Sequence, residues 1–127
     1  MNPLCLLNEA DHSRLESLLE SRLAPDRRSA LRDFLAEASA TGDHAELECR
    51  VALGDRITLV SPLESRDWYK PGIVMPDEVD LDDDLISVLT PVGLAVLGRR
   101  IGDRVSWETP AGTRDMTITS LRKHALS

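Results

Sequence analysis

The spacing of apolar residues changes period once, at Gly42, and this change constrains the fold more than any other feature of the chain. Before it, Leu15, Leu18, Leu19 and Leu23 recur at helical intervals, and Leu31, Phe34, Leu35 and Ala38 do so again. Each stripe marks one face of an amphipathic helix. Asn8 or Asp11 can cap the first helix, with Glu9 and Asp11 near the positive end of its dipole. Pro25 is expected to stop it, because proline lacks the N–H and crowds the preceding turn. Gly42 is expected to close the second helix as its C-terminal glycine. A short connection makes such helices antiparallel neighbours, so residues 1–45 are expected to form a short antiparallel helical hairpin.

After Gly42 the period falls to two. Arg56–Ser61 alternates with Ile57 and Leu59 on one face, and Gly72–Met75 and Leu85–Leu89 are short β-branched runs. Val105 and Trp107 alternate in the next run, and Met116, Ile118 and Ser120 in the last. Such runs read as strands. Thr109–Gly112, with Pro110 and Gly112 in turn positions, separates the last two. Between the third and fourth runs lies Thr90-Pro91-Val92-Gly93-Leu94-Ala95-Val96-Leu97-Gly98. It has Thr90 as a natural N-cap, Pro91 as a natural first helical residue and Gly98 as a natural stop. Residues 46–127 are therefore expected to form an antiparallel β-sheet domain with one helix, and the whole chain an α+β fold.

The formal net charge of −7 argues against free nucleic-acid binding, which needs a basic face to neutralise phosphates. It suits a basic protein surface as partner. Cys5 and Cys49 form no paired motif, which fits a reducing cytoplasm. The N-terminus has no basic n-region, Leu4–Leu7 is too short for a signal core, and no apolar run is long enough to span a membrane. The acidic run Asp77–Asp84 fails as a calcium loop. Started at Asp80, it places Leu85 where glycine is needed and Pro91 where glutamate is needed. His12, His44 and His124 are dispersed, and there is no Walker A, HExxH or GxSxG motif. No catalytic residue, metal or cofactor is expected.

Pro76-Asp77-Glu78-Val79-Asp80, Ile86-Ser87-Val88-Leu89-Thr90-Pro91, then Gly93, Ala95, Leu97, Gly98, Gly102 and Asp103 together resemble the C-terminal domain of the bacterial Gre transcript-cleavage factors. That family reads P-D-E-x-D, then ISVLSP, then PLGxALLGKxxGD. A weaker likeness extends over roughly residues 50–123. The N-terminal arm departs from the pattern. Gre factors carry a longer coiled coil whose acidic tip pair helps hold a catalytic magnesium. Here the tip holds Arg22, Asp26, Arg27 and Arg28, and those cations compete with a metal for the Asp26 carboxylate. The short arm, and Trp107-Glu108-Thr109-Pro110-Ala111-Gly112, resemble the Rnk branch, Gre-like regulators of nucleoside diphosphate kinase.

The resemblance implies an FKBP-like β-domain and a cytoplasmic, non-enzymatic regulator of transcription elongation. It would dock on RNA polymerase near the secondary channel through Thr90, Pro91 and Val92, without transcript cleavage and as a monomer. The fold likeness also raises a peptidyl-prolyl isomerase, but fold does not carry function and the β-domain offers only Trp68, Tyr69 and Trp107 to line a proline pocket. Regulation of nucleoside diphosphate kinase levels through another protein is the remaining alternative.

Overall fold

The computed structural model of the protein describes residues 5–123. The chain opens on strand β1 (Leu6–Asn8), followed by helices α1 (Glu9–Leu18) and α2 (Pro25–Glu37), strand β2 (Ser39–Thr41) and a single turn of helix, α3 (His44–Leu47). Asn8 is the α1 cap: its side-chain oxygen accepts from the Asp11 N–H at 2.7 Å.

Three expectations about this region are corrected. Pro25 does not stop the first helix. The helix ends at Leu18, where i→i+3 bonds such as Glu20 N–H to Ser17 C=O tighten the last turn. The Ser21 hydroxyl donates to the Leu18 carbonyl, and the Arg28 guanidinium donates to the carbonyls of Leu19 and Ser21. These bonds occupy carbonyls that a helix end leaves open. Pro25 instead starts α2, at a position where no N–H is required, and Ala24 before it is extended, as a residue preceding proline favours. Leu19 and Leu23 therefore leave the helical stripe and reach the core half-buried from the turn.

Gly42 does not close the second helix either. Ala38 is already extended, and Ser39–Thr41 pairs in parallel with β1, Leu6 opposite Ser39 and Asn8 opposite Thr41. This ladder forms because Cys5, Leu6 and Leu7 are core residues, each under 8% exposed. The Leu6 N–H binds the Gly98 carbonyl, and the Ser39 N–H binds the Cys5 carbonyl, both at 3.0 Å.

The remaining strands are β3 (Arg56–Val60), β4 (Trp68–Tyr69), β5 (Gly72–Val74), β6 (Leu85–Ser87), β7 (Arg104–Thr109) and β8 (Gly112–Arg122), with helix α4 (Pro91–Val96) between β6 and β7. Their order in the sheet is β6-β5-β3-β8-β7, with β4 pairing on β3. The wholly antiparallel sheet expected from sequence is corrected: β5 and β6 run parallel, with Ile73 opposite Ile86. Parallel neighbours need a crossover. The acidic segment supplies it, as two short 3-10 turns, Pro76–Glu78 and Leu81–Asp83. The β3–β8 ladder shifts register between Thr58 and Leu59, a bulge that bends the strand. Pro110 and Ala111 form the tip of the β7–β8 hairpin, Thr109 facing Gly112.

Alternate strand residues meet in one core. Ile57 and Leu59 of β3, Met116 and Ile118 of β8, and Val96 and Leu97 at the end of α4 are at most 1% exposed. Leu7, Leu15 and Leu31 join the same cluster from the N-terminal segment, each contributing roughly 1.5–3 kcal/mol by leaving water. Gly98 stands where strand β1 docks. Its φ is +78°, and a Cβ there would fall 2.5 Å from the Cys5 sulfur.

Candidate functional site

The α4 segment has an inner and an outer side. On the inner side the Thr90 hydroxyl accepts from the Gly93 N–H at 3.1 Å and donates to the Ser87 carbonyl at 2.7 Å. Both its capacities are used within the fold. Val92 is half-buried and packs on the core. Pro91, between them, is exposed. Of the three residues singled out in this turn, Pro91 alone presents its side chain outward.

Pro91 lines a groove of about 680 Å³ between α2 and the α4–β7 region. Its apolar floor includes Phe34, Leu89, Leu94, Ala95 and Trp107, and its rim carries Asp26, Arg27, Asp33, Glu37 and Glu108. Four carboxylates against one guanidinium give this opening a negative field. The groove therefore brings together two regions that the sequence keeps far apart, the Pro91 turn and the start of α2. Asp26 and Arg27 are exposed on the first turn of α2 and line the groove; Arg22 is exposed in the preceding turn and does not. Arg28 is a structural residue, holding the α1–α2 turn as described above.

Phe34, Asp33 and Glu37 were not legible as site residues. The helical stripe marks Phe34 as core, which it partly is, and nothing in local spacing tells which strand or helix it will face. Asp11 is a second residue without a sequence signal beyond its place near a helix start. It is 5% exposed, and its carboxylate accepts from the Leu53 N–H at 2.9 Å and from the Asn8 amide at 3.2 Å. It thereby ties α1 to the loop before β3. Burial pushes its carboxyl above the ordinary value of 3.8, outweighing the Leu53 bond and the Arg14 charge, which act in the opposite direction.

Among the described residues no group of three or more His, Cys, Asp or Glu side chains is placed to hold a metal ion. In the acidic crossover the exposed Asp80 caps its own turn, accepting from the Asp82 N–H at 3.1 Å. Asp84 takes a left-handed φ of 54°. His12 pairs with Glu16 at 3.1 Å, His44 is exposed in α3, and His124 lies outside the described residues. Cys5 is buried and its thiol is pushed up to about 11 by desolvation, so it is an inert core thiol. No helix among the described residues is long and apolar enough to cross a membrane.

Residues 46–123 match the family model for the C-terminal domain of the transcription elongation factors GreA and GreB. The chain belongs to that family. Among curated relatives it is 26% identical over 106 residues to the transcription elongation factor GreA of Thermodesulfovibrio yellowstonii, covering 84% of this chain and 63% of the relative. It is 29% identical over 117 residues to the transcription inhibitor protein Gfh1 of Thermus thermophilus, covering 90% of this chain and 73% of that protein. The solved structure of a prokaryotic transcription elongation factor GreA/GreB from Nitrosomonas europaea superposes with a TM-score of 0.76 at 29% identity, over 96% of this chain and 100% of the other.

Proposed function

We propose that this protein is a non-enzymatic regulator of transcription elongation that docks on RNA polymerase near its secondary channel through the outer face of α4. The observation that carries this reading is the placement of Pro91. It is the exposed residue of a turn whose neighbours are committed to the fold, and it borders an apolar groove with an acidic rim. An apolar centre ringed by charge is the anatomy of a protein interface, and the negative rim suits a basic partner surface. The relatives named above are an elongation factor and an inhibitor of transcription, which supports transcription as the process.

The arm argues against transcript cleavage. The α1 helix has ten residues, about 15 Å at helical rise, and α2 has 13. Residues 20–28, where they join, hold Arg22, Arg27 and Arg28 against Glu20 and Asp26, so this tip carries more cations than acids. In this reading α1 and α2 form the short arm and the β3–β8 sheet with α4 the FKBP-like docking domain, the arrangement of the Rnk branch. The protein works in the cytoplasm as a monomer and needs no cofactor.

The test is co-purification with core RNA polymerase, with and without excess GreA, for the parent chain and for Pro91→Asp. The first helical position tolerates the change and an acid there favours the dipole, so the variant stays folded within about 1 kcal/mol. The acid replaces the apolar ring at the centre of the contact, and desolvating a carboxylate against apolar surface costs several kcal/mol, so the variant no longer co-purifies. Undiminished binding by folded Pro91→Asp removes this turn from the interface. In a stalled elongation complex the parent protein leaves backtracked RNA uncut; cleavage clearly above buffer overturns the non-enzymatic reading.

A further inference from the structure

A second cleft, of about 490 Å³, shares no lining residue with the α2–α4 groove. Four cations line it: Arg14 of α1, Arg56 of β3, Arg122 at the end of β8 and Lys123 just after it. Glu78 and Asp83, from the acidic crossover, are the carboxylates on its lining. In a chain with 22 acidic residues against 15 lysines and arginines, a cleft lined by twice as many cations as acids runs against the composition.

The sheet register makes the concentration of charge sharper. Arg56 and Arg122 are direct partners across the antiparallel β3–β8 ladder, and like charges opposite one another destabilise such a pair. The fold compensates unevenly. Arg56 donates to the carbonyls of Lys70 at 2.9 Å and Asp83 at 2.8 Å, but its carboxylate contact, to Asp83, is 3.7 Å long. Arg14 meets Glu78 at 3.4 Å, with both side chains about half exposed. Lys123 is held firmly, at 2.6 Å from the Asp55 carboxylate and 2.8 Å from the Arg50 carbonyl. Among the described residues Arg122 makes no ion pair and no side-chain hydrogen bond. Long, solvated ion pairs contribute little to stability, so the Glu78 and Asp83 contacts are replaceable by a better acceptor.

We propose that this cleft binds a small, multiply charged oxyanion of the polyphosphate class, with Arg122 and Arg14 as its principal ligands. A guanidinium offers paired donors that match a phosphate edge. An oxyanion between β3 and β8 removes the repulsion that the register imposes on Arg56 and Arg122. Compactness is set by the surroundings. The segment from Asp77 to Asp84 carries six acids beside the cleft. A long polyanion such as a nucleic-acid strand runs against that segment, whereas a compact one has to displace Glu78 and Asp83 and to outcompete the 3.9 Å contact of Arg14 with Asp11. Because Arg14 sits on α1 and Arg122 on β8, the ligand also ties the N-terminal helix to the sheet.

The test is calorimetric titration of the full chain with inorganic pyrophosphate and, separately, with orthophosphate. Ionic strength is fixed, since salt screens exposed charges. Saturable binding is expected, tighter for pyrophosphate. Arg122→Gln, an exposed position, is expected to weaken it about tenfold, the worth of one charge-assisted contact, and Glu78→Gln to tighten it. Arg66→Gln, an exposed loop position outside the cleft, is expected to leave it unchanged. The proposal fails if pyrophosphate shows no saturable binding. It also fails if Arg122→Gln binds like the parent, or if Arg66→Gln weakens binding equally, which marks diffuse charge attraction. A single-stranded oligonucleotide that binds and is not displaced by pyrophosphate assigns the cleft to nucleic acid and overturns the small-anion reading. None of these outcomes depends on RNA polymerase, so this inference stands or falls apart from the docking reading.

Discussion

Replacing Gly93 by alanine tests how closely α4 lies on the end of β6. At an open helical site this change stabilises a protein by about 0.4–1 kcal/mol, because alanine has less chain entropy to lose. Gly93 is not an open site. A Cβ there would stand 2.7 Å from the carbonyl oxygens of Ser87 and Val88 and 2.8 Å from the Val88 Cα. All three are main-chain atoms of the strand and its exit, so no side chain can rotate away. The helix must lift by the better part of an ångström, drawing Val96 and Leu97 from a core in which both are 0% exposed. Overpacking a tight core costs typically 1–3 kcal/mol and occasionally more. The propensity gain is smaller, so the net expectation is a loss of about 2 kcal/mol. For a domain of this size a loss of 1 kcal/mol lowers Tm by roughly 3–5 °C, so Gly93→Ala is expected to melt about 6–10 °C below the parent. Gly42→Ala is the control. Its Cβ would meet only the Glu9 carboxylate at an ordinary 3.7 Å, and its expected Tm is equal to or slightly above the parent's. A Gly93→Ala protein that melts at or above the parent temperature refutes the close approach of α4 to the strand.

Leu15→Ala and Leu31→Ala, both at fully buried positions, are expected to cost about 2–5 kcal/mol each in denaturant unfolding; a loss below about 1 kcal/mol at either denies that α1 and α2 share the core of the sheet. Asp33→Lys on the groove rim is expected to leave Tm within a few degrees and to weaken polymerase capture, an effect that fades with added salt; a salt-independent loss points instead to a damaged fold. Asp11 supplies a pH test. Burial raises its folded carboxyl above the ordinary 3.8, so the folded state holds the proton more tightly than the unfolded chain. The Asp11 contribution to stability therefore falls as pH climbs from 3.8 through the raised value, and is level above it. Asp11→Asn keeps an acceptor for the Leu53 N–H and is expected to lose that slope. Parallel curves of Tm against pH for the two proteins contradict the burial argument.

What was legible in the sequence is what local chemistry decides. Thr90, Pro91 and Gly98 announce a helix start and stop without reference to the rest of the chain, and α4 lies between them. The β7–β8 hairpin is equally local, since Pro110 and Gly112 suffice to turn it. The β1–β2 ladder was hidden because its partners, Leu6–Asn8 and Ser39–Thr41, are three residues each and too short to alternate. One of its anchoring acceptors is the Gly98 carbonyl, more than ninety residues along the chain. The parallel β5–β6 pair was hidden for a related reason: Gly72, Ile73 and Val74 are all buried, so the run shows no alternation from which a face or a direction follows. The groove was hidden because its two walls come from segments read separately. Phe34 belongs to a helical stripe and Trp107 to an alternating strand, and only the tertiary fold sets them on one opening.

In the docking reading proposed here, the short α4 segment keeps its folding residues and its outer residues on separate sides. Its inward atoms leave no latitude. The Thr90 hydroxyl has its donor and acceptor used, Gly93 has no room for a methyl group, and Gly98 carries a left-handed φ beside Cys5. Pro91, Leu94 and Ala95 lie toward the groove and are exposed or half-buried. Helical geometry separates the two sets, because residues three and four apart share a face. A change on the inner set alters stability and, through it, everything else. A change on the outer set alters the groove while leaving the cap bonds in place. Pro91 is the cleanest member of the outer set, because as the first helical residue it has no backbone N–H bond to lose. The same residue type at the same position is thus required by neither packing nor hydrogen bonding beyond its fixed φ. Its exposed ring remains as apolar surface at the mouth of an acidic groove, where it is available to a partner.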